Sequence, residues 1–145
     1  MKEVESLKLS NQICFPIYAL SKEVVSQYRP FLDRLDLTYP QYLVMLVLWE
    51  TDGITVGSIG EKLALDTGTL TPLLKRLEAK GIIHRNRSVE DERIVLISLS
   101  EDGKKLKELA CEIPLQMKQN FDLTDEEIST LKQIINKILN SKTSK

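Results

Sequence analysis

The chain has 145 residues, 42% hydrophobic and 28% charged, with a net charge of -1, which is apolar material for one compact core and too little length for two independent ones. No basic, apolar leader precedes a small-residue cleavage site, and the longest apolar run, residues 42–49, falls far short of the roughly 20 residues that span a bilayer, so a soluble, cytoplasmic protein with no membrane partner is expected. Two distant cysteines without a CxxC exclude a secreted disulfide framework, and a lone His84 excludes a His/Cys zinc site, so neither metal nor cofactor is expected.

Apolar residues recur at helical spacing over residues 10–35 (Ile13, Ile17, Leu20, Val24 or Val25, Tyr28, Phe31 or Leu32, Leu35), which predicts one long helix, kinked or split at Pro16 and Pro30. Thr38 and Gln41 have capping-box spacing, and Pro40 falls in the first turn of the helix they open. Its body, YLVMLVLWE, is apolar all round, as befits a helix buried against several neighbours.

Residues 55–81 read as two short helices meeting at a tight turn. Val56, Ile59 and Leu63 form one stripe, and Leu70, Leu73, Leu74 and Leu77 the next, with Gly81 as the stop. Either Asp66 caps the second helix with Pro72 inside it, or Thr71 caps a later start. The period then changes. IIHRNRS and RIVLISL are β-branched runs joined by the polar turn VEDE, which predicts a hairpin. Ser100 is placed to cap a long helix over residues 101–121, kinked before Pro114. Thr124 and Glu127 then open a last amphipathic helix with the stripe Ile128, Leu131, Ile135, Ile138 and Leu139, and the chain ends on the short polar tail NSKTSK.

This order defines a mainly α fold with a small β-hairpin: a single winged helix-turn-helix domain, with the DNA-binding part over about residues 38–103 and dimerisation helices over about residues 1–37 and 104–145. The flanking helices carry more apolar surface than one small module covers, and a two-fold dimer would bury it.

Net charge does not decide on nucleic acid, because a DNA-binding face needs only a local positive field. With the leucines inward, the second helix of the pair turns Gly68, Thr69, Thr71, Pro72, Lys75 and Arg76 outward. Small residues and hydroxyls suit close approach to base edges or phosphates, and the two cations neutralise backbone. A solvated helix face would look the same, but residues 75–87 carry Lys75, Arg76, Lys80, Arg85 and Arg87 against only Glu78, so positive charge is concentrated where a reading head would lie. At the hairpin tip, Asp91 is two residues before Arg93 and can hold its guanidinium extended for a narrow minor groove; an ordinary surface ion pair is the plain alternative.

LTYPQYLVMLVLWE, GTLTPLLKRLE, DER followed by a strand, and NQICF with a tyrosine four residues after the cysteine together resemble the MarR-type winged-helix repressors, specifically the organic hydroperoxide sensing branch called OhrR. The likeness covers nearly the whole chain. It implies a homodimer on a pseudo-palindromic double-stranded DNA operator, with a reactive Cys14 near the dimer interface. Tyr28 and Tyr39 of the other subunit would hydrogen-bond that thiol, with Tyr18 nearby. The implied chemistry is oxidation of the Cys14 thiolate by an organic hydroperoxide to a sulfenic acid, capped as a mixed disulfide by a low-molecular-weight thiol, after which the repressor leaves DNA. Without the resemblance, Cys14 reads as a small buried hydrophobe and the tyrosines as packing residues.

Three positions depart from the pattern. Pro16 stands where relatives have a residue with an N–H, which places Cys14 at the very start of a helix. Cys111 lies about two turns before the usual resolving thiol of two-cysteine members, and reads as a buried helix cysteine. Thr67 replaces a common serine and keeps its hydroxyl. Two rivals remain: a MarR-type regulator released by a small aromatic ligand with Cys14 structural, and a thiol peroxidase, for which neither a CxxC nor a cysteine-histidine pairing is present.

Overall fold

The computed structural model describes residues 2–141; of the polar tail, residues 142–145 lie outside the described residues. The chain forms two compact units, Met1–Cys111 and Glu112–Lys145.

The first unit opens with α1 (Lys2–Ser6) and a 3-10 turn (Leu9–Asn11), neither predicted as a separate element, and continues into α2 (Cys14–Asp33). The long helix thus starts at Cys14 rather than near residue 10. Pro16 fits the shift: in a first turn, where the N–H groups have no intrahelical acceptor, its missing N–H costs no helical hydrogen bond. Pro30 lies inside α2 without ending it. A turn with Asp36 at φ 54 leads to α3 (Tyr39–Glu50). Both halves of its predicted capping box form: Thr38 Oγ1 accepts from Gln41 N at 3.3 Å, and Gln41 Oε1 from Thr38 N at 3.0 Å.

Next come β1 (Ile54–Thr55), α4 (Val56–Leu63) and α5 (Thr67–Ala79), then β2 (Ile83–Arg87) and β3 (Val95–Leu99). The hairpin pairs Ile83 with Leu99 and Arg87 with Val95, and β1 adds to the other edge of β3 through Ile54–Ile97, giving a three-stranded antiparallel sheet of order β1-β3-β2. Asp52 fixes that edge, its carboxylate accepting from Leu99 N and from Gly53 N, both at 2.8 Å. Two residues are too short to show a period, so β1 left no trace in the pattern.

The core lies where α3 meets α2, α4, α5 and the sheet. Tyr42, Val44, Met45, Leu48, Ile59, Leu70, Leu74, Leu77, Ile83 and Ile97 are almost wholly excluded from solvent, each large aliphatic side chain contributing about 1.5–3 kcal/mol by burial. Two glycines set close approaches. A Cβ on Gly60 would stand 2.7 Å from the Leu65 carbonyl oxygen across the turn into α5. One on Gly103, in α6 (Glu101–Ala110), would collide with the Ile82 carbonyl. Ser100 caps α6 through Gly103 N at 3.1 Å and donates its hydroxyl to Gly81 O at 2.7 Å, which ties the base of the wing to the stop of α5.

The single kinked helix expected over residues 101–121 is two helices, separated at Cys111 and Glu112. The second unit holds α7 (Ile113–Phe121), with Pro114 in its first turn, and α8 (Asp125–Asn140). Thr124 and Glu127 close the predicted capping box of α8. Its Leu131, Ile135, Ile138 and Leu139 are exposed, together with Ile134.

Candidate DNA-reading face and thiol site

Asp66, not Thr71, opens α5: its carboxylate accepts from Thr69 N at 2.7 Å, and that backbone hydrogen bond, with one from the Thr69 side chain, holds the carboxyl below its usual range. Pro72 therefore lies inside the helix and cannot donate to the Gly68 carbonyl. The leucines point inward as expected. Thr67, Gly68, Thr69, Pro72, Lys75 and Arg76 are exposed and Thr71 is half-buried. Thr67 and Thr71 line a cleft with Arg85 and Arg93 of the wing and with Thr55, Val56 and Gly57 at the start of α4. Thr55, whose hydroxyl accepts from Ser58 N at 3.0 Å, went unnoticed in the sequence although a threonine three residues before a helical N–H is a capping signal.

At the wing tip, Asp91 accepts from Arg93 Nε at 3.1 Å, Arg93 Nη2 at 3.2 Å and Arg93 N at 3.0 Å. The Arg93 side-chain and backbone donors keep the Asp91 carboxyl below its usual range. Arg87 Nη1 donates to the Glu92 carbonyl at 2.8 Å, which closes the turn.

The predicted cation cluster does not act as a block. Arg85 is half-buried; its backbone N–H donates to Glu78 Oε2 at 3.2 Å, its Nη1 lies 3.8 Å from Glu78 Oε1, and its Nε is buried without a partner. Lys80 turns away from the reading face altogether, donating to the Asp36 carbonyl and, at 3.1 Å, to Gln41 Oε1. Charge counting along a sequence cannot separate cations offered to solvent from cations used in packing. Lys75 and Arg76 are exposed, and among the described residues neither forms an ion pair.

Cys14 is the first residue of α2, free and exposed, which removes the reading of a packed hydrophobe within its own chain. Tyr18 is exposed on the next turn, with Lys22 Nζ 5.3 Å from its ring centroid. Tyr28 and Tyr39 stack on each other at 4.9 Å, and Tyr42, which the sequence reading passed over, packs on both at 5.5 and 6.3 Å. Burial raises all three phenols, Tyr42 to about 12, so each remains a proton donor well above neutral pH. Among the described residues, Cys14 makes no hydrogen bond to a tyrosine of its own chain. Cys111 is also exposed rather than buried: it closes α6, its Sγ donating to the Glu108 carbonyl at 3.0 Å.

A two-helix reading head with an exposed N-terminal turn, a cation-bearing outer face and an arginine-tipped wing together define a winged helix-turn-helix DNA-binding module. Residues 26–109 match the family model described as transcriptional regulator SarA/Rot. The chain is 51% identical over 135 residues to the organic hydroperoxide resistance transcriptional regulator of Bacillus subtilis (strain 168), covering 93% of this chain and 92% of that one. It is 40% identical to the HTH-type transcriptional regulator SarZ of Staphylococcus aureus (strain USA300), covering 94% and 90%. The solved structure of reduced AbfR bound to DNA superposes with a TM-score of 0.82 at 37% identity, over 97% of this chain and 98% of that one; AbfR of Staphylococcus epidermidis superposes with a TM-score of 0.77 at 36% identity, over 100% of both. The chain belongs to the MarR-type winged-helix transcriptional regulators, on the branch of the organic hydroperoxide regulators. Its relatives are regulators, not enzymes. No described helix is long and apolar enough to cross a membrane.

Proposed function

We propose that the protein is a homodimeric transcriptional repressor that binds a pseudo-palindromic operator and leaves it when organic hydroperoxide oxidises Cys14. The single observation that carries this reading is the placement of Cys14, free and exposed as the first residue of a twenty-residue helix. The tyrosines that would donate to it are packed together elsewhere on the same chain. A second copy supplies what one chain lacks: its Tyr28 and Tyr39 phenols as donors to the thiol. It also covers the apolar side chains left exposed on α2 (Phe15, Ile17, Leu20) and on α8.

The thiolate attacks the outer oxygen of the hydroperoxide. The O–O bond breaks, the organic alcohol leaves, and Cys14 becomes a sulfenic acid; a small thiol then condenses with it, releasing water and leaving a mixed disulfide. The added bulk displaces the tyrosine donors and the helices that carry them, and the two reading heads no longer match half-sites one helical turn apart. On DNA, Thr67, Gly68, Thr69 and Thr71 approach the groove, Lys75 and Arg76 neutralise phosphates, and Arg93 enters the minor groove. Arg85 borders the cleft between head and wing. DNase footprinting with and without cumene hydroperoxide tests this: the expected result is a two-fold symmetric footprint lost on oxidation in the presence of a small thiol, and a footprint indifferent to the oxidant would overturn the sensing role.

A further inference from the structure

Lys80 is the C-cap of α5, at the opposite end of the recognition helix from its DNA-facing first turn. Its ammonium donates to the Asp36 carbonyl and to Gln41 Oε1 at 3.1 Å, with the Asp36 carboxylate 3.8 Å away. Both acceptors are held in place. Asp36 has a left-handed φ of 54, sparsely populated for a residue with a side chain, within a turn closed by Leu37 N donating to Leu32 O at 3.1 Å. Gln41 is 3% exposed, and its Oε1 also accepts from Thr38 N in the capping box. The same helical turn carries Tyr39, the first residue of α3, whose ring stacks on Tyr28.

We propose that Lys80 is a latch coupling the thiol site to the recognition helix: it ties the C-terminus of α5 to the Asp36 turn and the Gln41 cap, two residues from Tyr39. This rests on the sensing reading above and adds its route. A capped first turn moves as one piece, so a displacement of Tyr39 carries Gln41 with it, and a charge-assisted donor shared between two fixed acceptors resists stretching more than a neutral one. α5 is a continuous helix, so a shift at Lys80 reaches Thr69 and Lys75. In the reduced protein the latch holds the head in its DNA-fitting orientation; once the tyrosines are displaced, the anchor moves and the head moves with it. Lys80 is therefore a positioning residue, not a phosphate contact.

The test compares full-length wild type, Lys80→Met and Lys80→Arg. Operator affinity is measured for each, reduced and after cumene hydroperoxide with a small thiol, alongside the rate of sulfenic acid formation and the slope of log affinity against log salt. In Lys80→Met the ratio of reduced to oxidised affinity is expected to fall about 2- to 30-fold, with oxidation rate and salt slope unchanged and most of the ratio restored by Lys80→Arg. An unchanged ratio in a Lys80→Met protein that melts cooperatively overturns the latch, and a salt slope reduced by about 1 per lost contact would make Lys80 a phosphate ligand instead. If Lys80→Met does not melt cooperatively, Lys80→Gln, which loses the charge but keeps a polar end, is held to the same outcomes. A wild-type protein that oxidant leaves on DNA overturns the sensing reading and the latch together; release of wild type with an unaltered ratio in the variant overturns the latch alone.

Discussion

Asp91 grips the guanidinium of Arg93 at two points, 3.1 and 3.2 Å, while 90% of the Arg93 side chain stays open to solvent. An exposed ion pair of this kind adds little stability, so its consequence is orientation: the carboxylate removes rotamer freedom from a long cation at the wing tip before DNA arrives. Arg93→Ala is therefore expected to weaken binding most on operators with A·T-rich flanks, whose narrow minor groove attracts arginine, whereas Lys75→Ala should weaken all flanks alike. Asp91→Asn should reproduce part of the Arg93→Ala loss, because the arginine remains but is no longer held. Fluorescence anisotropy on paired A·T-rich and G·C-rich duplexes measures this; equal losses on both for Arg93→Ala would remove the minor-groove role.

The tyrosine cluster gives a pH signature. Burial raises Tyr28, Tyr39 and Tyr42 above 10, Tyr42 to about 12. A phenol whose folded value is raised keeps its full contribution below the unfolded value of about 10, and the contribution is lost as pH rises from there through the folded value. Stability is thus expected to be flat with respect to these groups at neutral pH and to decline between about pH 10 and pH 12. Phenolate absorbance should show Tyr42 ionising last. A Tyr42→Phe protein in which the late phase persists would contradict this assignment, and so would a late phase absent from wild type.

Local chemistry was legible and direction was not. The caps at Thr38, Asp66, Ser100 and Thr124 follow from side chains reaching an N–H three residues on, a relation contained in a few residues of sequence. The Asp91–Arg93 pair is local in the same way. Lys80 was misread because its partners Asp36 and Gln41 lie 44 and 39 residues away, so its sequence neighbourhood showed only a cation among cations. Arg85 misled for a related reason: one helix residue, Glu78, draws its charge inward. Pro114 marks the discontinuity near Cys111 as a kink, but apolar spacing continues across it into Ile113 and Met117, so the pattern does not show that the helix ends and a second begins. The proposed pairing of Cys14 with Tyr28 and Tyr39 of a second copy rests on family likeness alone, since a contact between two chains would leave no periodicity in either.

The two thiols differ in setting, and that difference predicts which one senses. Cys14 begins α2, exposed at the end of the helix whose first N–H groups lack intrahelical acceptors, and among the described residues its sulfur makes no hydrogen bond within its own chain. Cys111 ends α6, among carbonyl oxygens, with its proton directed at Glu108 O. One thiol is therefore open at a helix start, and the other is already engaged by a carbonyl at a helix end. Cys14→Ser is expected to bind the operator normally and to ignore hydroperoxide, because serine keeps a hydrogen-bonding group of similar size but forms neither thiolate nor sulfenic acid. Cys111→Ser should bind and still be released. Tyr28→Phe and Tyr39→Phe should slow oxidation without abolishing it, since each removes one donor and leaves the sulfur. An operator shift assay over a cumene hydroperoxide series, with a small thiol present, separates these outcomes. Release of Cys14→Ser at wild-type oxidant levels would sink the Cys14 mechanism, and loss of response in Cys111→Ser alone would transfer sensing to the end of α6.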